Sequence, residues 1–294
     1  LALVLNYVLF KTVSLYSYFI LLSMVLLSKK IELSYIMKIL MIANLMIITI
    51  MIPFIFLSKT FFKLDDRFGE RLTLGFSNAN VMTQFLIMIF SLSVIFIFNK
   101  TKGRLIKNLY LFLSFGMFSL IVYYSGSRTG LAMIVFAFIG FIWALNTRDV
   151  VLNKKFKIIY LVGFACIIFF QFYTVMHFNQ NGFLITLNQA LAGRVFYSYN
   201  LYNSIGFIPL LHGVNIDEFM PIDFYYVQYF YSMGLVIGGF LIYLFYKEFR
   251  KYDYSKVESV ILLTCLVATT TESYFMIPLY NLSLFMVFNK KTAY

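Results

Sequence analysis

The chain of 294 residues is 62% hydrophobic and 20% aromatic with only 12% charged residues, more apolar surface than a soluble fold of this length can bury. Its formal charge of +12 would suit nucleic acid, but the basic residues flank apolar runs, where a topological role explains them and no nucleic-acid partner is expected. Cys166 and Cys265 each lie inside an apolar stretch, which argues against a disulfide framework or a thiolate metal site.

Apolar runs of roughly 17 to 24 residues match the length a helix needs to cross the hydrocarbon core. Strands of a transmembrane barrel would alternate apolar and polar residues, and stretches such as 131–145 do not. The expected fold is therefore all-α, a single polytopic membrane helix bundle over 1–294. In chain order, spans are expected near 12–27, 35–57, 76–98, 105–124, 129–145, 158–176, 224–246, 257–271 and 274–288, about nine in all. Residues 1–10 read as the end of an earlier span, and the chain opens on Leu1 rather than Met, so a truncated front is expected.

With alternating sides, Lys29, Lys30, Lys100, Lys102, Arg104, Lys107, Arg148, Lys154, Lys155 and Lys157 share one face. Lys247, Arg250, Lys251, Lys256, Lys290 and Lys291 join them, and the positive-inside rule makes that face, with the C-terminus, cytoplasmic. The four prolines, Pro53, Pro209, Pro221 and Pro278, then fall in or near the outer portion. So does the longest non-spanning segment, 177–223, far longer than a helical connection requires and expected to carry amphipathic helices.

Three outer positions hold ionisable groups that topology does not explain. Arg128, in Ser125-Gly-Ser-Arg128-Thr-Gly130, stands where a helix is expected to start facing outward. Free backbone amides, Ser127, Thr129 and the guanidinium would converge there on a phosphate-sized anion; the alternative is a helix cap with an arginine reaching lipid headgroups. Arg194 sits mid-arc among Leu187, Leu191, Leu201 and Ile205 of an amphipathic helix expected over 186–205. A guanidinium on the apolar side needs an anion, either Asp217, Glu218 or Asp223, or a substrate phosphate. The segment from Pro209 to Tyr226 offers Asp223 and His212 as general bases; Asp223 could instead cap a helix, and His212 could simply be solvated. Glu272, at an outward turn, is a further acid or an arginine partner.

Metal and nucleotide motifs are absent: there is no D-x-D, H-E-x-x-H, P-loop or G-x-G-x-x-G. Gly234 and Gly238 form a G-x-x-x-G within an expected span, which points to close helix packing rather than a ligand site. Asp65 and Asp66, among Lys59, Lys63, Arg67, Glu70 and Arg71, read as a solvated charge network.

The order of these features resembles the Wzy-type polysaccharide polymerases, relatives of the O-antigen ligases. Arg71-Leu-Thr-Leu-Gly75-Phe76-Ser-Asn78-Ala-Asn80 is similar to the family's G-F-x-(H/N)-P-N segment, with Ala79 in place of its usual Pro, and Ser125 to Gly130 matches its S-x-S-R-(T/G)-G turn. Gly193-Arg194 followed by Pro209-Leu-Leu-His-Gly213 resembles its G-R…P-L-x-G stretch, although His212 stands in a normally glycine-rich turn. Asp223 to Tyr226, continuing to Gly234, is similar to its D-x-x-Y segment, where the ligases tend to carry histidine. The likeness covers roughly residues 65 to 285.

The resemblance implies a GT-C-like, metal-independent glycosyltransferase of the bacterial cytoplasmic membrane, serving capsule, exopolysaccharide or O-antigen assembly. It would move a glycan from undecaprenyl pyrophosphate onto another lipid-linked repeat unit, alongside membrane lipids, a flippase and a chain-length regulator, with no cofactor. Arg128 and Arg194, with Ser127 and Thr129, would bind the pyrophosphate; Asp223, then His212, would be the base. Asn80, Tyr226 and Glu272 are expected as further substrate contacts. The alternatives are a ligase that attaches finished glycan to another acceptor, and a transporter or flippase of lipid-linked sugars, which predicts mid-membrane charges and broken, repeated helices.

Overall fold

A computed structural model describes residues 23–28, 31–58, 60–65, 69–101, 103–147, 154–272 and 281–289. The described chain is helical apart from one two-stranded hairpin, and five of its helices are long and apolar enough to cross a membrane. These are α1 (Leu33–Ser58), α2 (Ala79–Lys100), α3 (Arg104–Tyr124), α4 (Arg128–Asn146) and α5 (Lys154–Met176), each within a few residues of an expected span. The described residues are thus compatible with a helical membrane protein. The expected span 12–27 and the first part of 274–288 lie mostly outside the described residues; the rest of the latter is α11 (Leu282–Phe288).

The all-α expectation holds for the described residues, with this one short hairpin added to it. β1 (Phe62–Asp65) pairs antiparallel with β2 (Gly69–Leu72), setting Phe62 opposite Leu72 and Lys63 opposite Arg71. It falls between α1 and α2, where the charged run interrupts the apolar periodicity.

The chain divides into two compact units. One comprises Lys30–Leu152, Asp253–Cys265 and Leu279–Tyr294. Here α2 is the central helix, buried along most of its length, while α1 and α3 turn apolar side chains outward as a lipid-facing helix should. Phe90 and Phe98 of α2 meet Phe141 of α4, and Val260 of α10 (Lys256–Ala268) packs where Gly140 leaves no room for a side chain.

The other unit comprises Leu1–Lys29, Asn153–Tyr252 and Leu266–Pro278. It contains α5, then α6 (Gly182–Ala190), α7 (Arg194–Ile205), α8 (Tyr225–Met233) and α9 (Leu235–Lys251). The amphipathic helix expected over 186–205 is broken into α6 and α7. Leu191 ends α6, and the chain turns through Ala192 and Gly193, both at positive φ. Leu187 and Leu191 still join Val195, Leu201 and Ile205 in one core with Val175, Ile222, Phe224 and Tyr231, so the apolar arc is real although the helix is not continuous.

The expected span 224–246 is also corrected. Tyr229 Oη donates to the Gly238 carbonyl at 2.9 Å, and a Cβ on Gly238 would lie 3.0 Å from the Phe230 ring. In a straight helix residues 229 and 238 would be about 13.5 Å apart along the axis. The chain therefore turns back at Gly234, whose φ of 78° and ψ of 160° suit only glycine, and α8 and α9 form a helical hairpin. Gly238 of the G-x-x-x-G motif packs closely as expected, against the Phe230 and Tyr229 rings of α8, while Gly234 makes the turn.

Candidate functional site

Arg194 opens α7, immediately after the left-handed Gly193. Its Nε donates to Asp223 Oδ2 at 3.2 Å and its Nη2 to Glu272 Oε1 at 3.0 Å. The three side chains are 11%, 8% and 0% exposed, so the cluster is nearly dry and each charge depends on the others. Of the acids expected to answer Arg194, Asp223 does so, and Glu272, foreseen as an arginine partner, joins it. Asp217 and Glu218 sit exposed on a short 3₁₀ turn over Asp217–Phe219. Asp223 is not a helix cap: the N-cap of α8 is Phe224, with no side-chain bond.

The cluster is aligned by a residue that sequence reasoning passed over. Gln171, fully buried in α5, accepts the Tyr226 backbone N–H at 2.9 Å through Oε1 and donates through Nε2 to the carbonyls of Thr269 at 2.7 Å and Thr270 at 2.9 Å. One amide thus ties the segment carrying Asp223 to the turn carrying Glu272. A glutamine in an otherwise apolar span was the available signal, since a buried amide must find partners. Tyr226 is buried too; its ring meets Phe164 edge-on and its hydroxyl accepts from Thr269 Oγ1 at 3.4 Å.

His212 is exposed, with Nδ1 3.0 Å from the Gly213 carbonyl. Its segment is laid on the α8–α9 turn: Leu235 and Val236 donate to the carbonyls of Pro209 and Leu210, and Val214 donates to that of Tyr231, each at 2.9 Å. A Cβ on Gly213 would stand 1.8 Å from the Ser232 carbonyl oxygen, and one on Gly234 would stand 2.8 Å from that of His212. The two glycine-bearing motifs therefore face each other, a relationship invisible in their separate positions along the chain.

The remaining expected residues lie in the unit containing α2 and α4. Ser127 caps α4, its Oγ accepting from the Gly130 N–H at 3.2 Å and donating to Asn80 Oδ1 at 3.1 Å. Asn80 Oδ1 also accepts from Arg71 Nη2 at 3.2 Å, and Arg71 Nε donates to the Ser125 carbonyl at 2.8 Å. Arg71 is 5% exposed, which corrects its reading as part of a solvated charge network: it braces the turn before α4. The charged residues around it hid this role, because local sequence cannot show which member of a charge run turns inward. Arg128 is exposed at the first position of α4 and Thr129 is half-buried beside it. The amides of this helix start are partly answered by Ser127 itself.

Among the described residues, no group of three or more His, Cys, Asp or Glu side chains is placed to hold a metal ion. Comparison with protein-family models, with curated proteins and with solved structures finds no match for this chain.

Proposed function

We propose that this protein is a polysaccharide polymerase of the Wzy type, a multi-pass glycosyltransferase of the bacterial cytoplasmic membrane with a GT-C-like architecture. The observation that carries the reading is the nearly buried Arg194 held between Asp223 and Glu272. In the resting chain the two carboxylates hold the guanidinium. A diphosphate is a stronger, multidentate partner for it, and its arrival frees Asp223. The acceptor hydroxyl then attacks the anomeric carbon: the new carbon–oxygen bond forms as the bond to the diphosphate oxygen breaks. The leaving diphosphate takes the electron pair, Arg194 stabilises the growing charge, and the hydroxyl proton passes to Asp223. One such displacement inverts the anomeric configuration.

The test is conversion of lipid-pyrophosphate-linked repeat units into a ladder of longer products by the purified, reconstituted chain, with Arg194→Ala, Asp223→Asn and, as a separate variant, Arg128→Ala. Loss of the ladder in folded Arg194 and Asp223 variants supports the mechanism; a ladder that survives both removes it. The turn at Gly234 favours one second reading, a transporter of lipid-linked sugars, because broken helices line many transport sites. Movement of the labelled lipid across the bilayer without elongation would select that reading.

A further inference from the structure

The helical hairpin does not reach as far as α5, the helix beside it, which is long and apolar enough to cross a membrane. Lys157 Nζ, near the start of α5, donates to the Arg250 carbonyl near the end of α9 at 3.1 Å, and Tyr160 stacks on Phe249 with ring centroids 4.6 Å apart. These contacts set the basic ends of the two helices at one level. At about 1.5 Å per residue, α5 climbs about 28 Å from Lys157 to Met176, close to the ~30 Å hydrocarbon thickness. From the same level α9 climbs only about 22 Å, from Arg250 to Leu235. The turn at Gly234 therefore stands about 6 Å short of the level of Met176, the end of a helix long enough to cross the hydrocarbon.

Irregular backbone at such a depth has to be satisfied by protein. It is: the amides of Leu235 and Val236 are bonded to Pro209 and Leu210, which draws segment 207–211 down to the turn. The side chains of that segment are the reverse of what an aqueous loop would show. Phe207, Leu210 and Leu211 are 76%, 60% and 66% exposed. Through the pairing of Leu210 with Val236 they continue the exposed apolar face that α9 presents with Leu235, Val236 and Phe240.

We infer that segment 207–211 is a membrane-inserted loop whose Phe207, Leu210 and Leu211 side chains lie among lipid acyl chains, in the leaflet opposite the basic helix ends. The occupant of this surface is bilayer hydrocarbon, because the surface is continuous with a helix face of the same character and sits at hydrocarbon depth. His212, next along the chain, is exposed at the edge of the loop. The long connection is thus anchored at its middle and not only at its two ends.

Trp143 is the single tryptophan, so a Trp143→Phe background permits a site-specific probe. Phe207→Trp, Leu211→Trp and, on the exposed 3₁₀ turn, Glu218→Trp are each made in the full chain and reconstituted in phosphatidylcholine–phosphatidylglycerol vesicles. Monodisperse elution before reconstitution checks that each is folded. The first two should lose most of their fluorescence when the acyl chains carry bromine, emit to the blue and resist aqueous iodide, while the Glu218 variant should be quenched by iodide and not by bromolipid. Iodide quenching at Phe207→Trp and Leu211→Trp would put the loop in water and overturn the inference. Protection from both quenchers would mean that protein covers it, and would overturn it equally.

Discussion

Gln171 and Tyr226, 55 positions apart, are joined by a 2.9 Å bond from the Tyr226 amide to the Gln171 side-chain oxygen, inside a site that excludes water. The other end of the same side chain holds the carbonyls of Thr269 and Thr270, so one residue of α5 registers both acid-bearing segments.

Gln171→Leu should therefore destabilise the chain by roughly 2–4 kcal/mol, since it leaves an amide and two carbonyls unanswered in a dry site. Thermal unfolding in detergent measures this. Gln171→Glu keeps the acceptor for Tyr226 but not the donor, and should fall between the two. Equal stability of Gln171→Leu and wild type would contradict the clamp.

Removing one partner of the Arg194 cluster should cost more than removing the pair. Arg194→Met, which strands two carboxylates, is expected to lower stability by about 3–5 kcal/mol. Adding Asp223→Asn and Glu272→Gln to it should recover part of that loss, a coupling that a triple-mutant cycle over the three positions reads directly.

Arg71→Lys retains the charge but cannot span two acceptors, Asn80 Oδ1 and the Ser125 carbonyl, with fixed fork geometry. A loss of about 1.5–3 kcal/mol is expected, the range for a hydrogen bond to a charged group. A cysteine placed at exposed Arg128 should also become more reactive to a water-soluble maleimide in the Arg71→Lys background, because the turn before it loosens. Unchanged reactivity and stability would return Arg71 to the solvated surface.

Gly213→Ala should fail to accumulate as folded protein, as its Cβ would stand 1.8 Å from a backbone oxygen that is itself fixed by the α8–α9 turn. Gly239→Ala is the control: nothing lies within 4 Å of its Cβ and its φ is ordinary, so helix propensity predicts a gain of about 0.5–1 kcal/mol. Expression and thermal stability of the two variants separate steric exclusion from a general intolerance of substitution.

Five helices long and apolar enough to cross a membrane were legible in the sequence, because an apolar run of that length has one low-energy state in hydrocarbon, a helix with its backbone bonds closed on itself. The need of Arg194 for an anion was legible for the same kind of reason, since a cation on an apolar arc has no cheap alternative. Asp223 was among the acids named for it and Glu272 was named as a partner for an arginine, but that both would meet Arg194 was not legible: Glu272 lies 78 positions away, and only packing brings it to 3.0 Å. The burial of Arg71, the clamp at Gln171 and the reversal at Gly234 were hidden likewise. Hydropathy reports how much apolar surface a segment carries and where it changes, whereas these features depend on which distant backbone groups meet, and a helix that turns back on itself reads the same as one that continues.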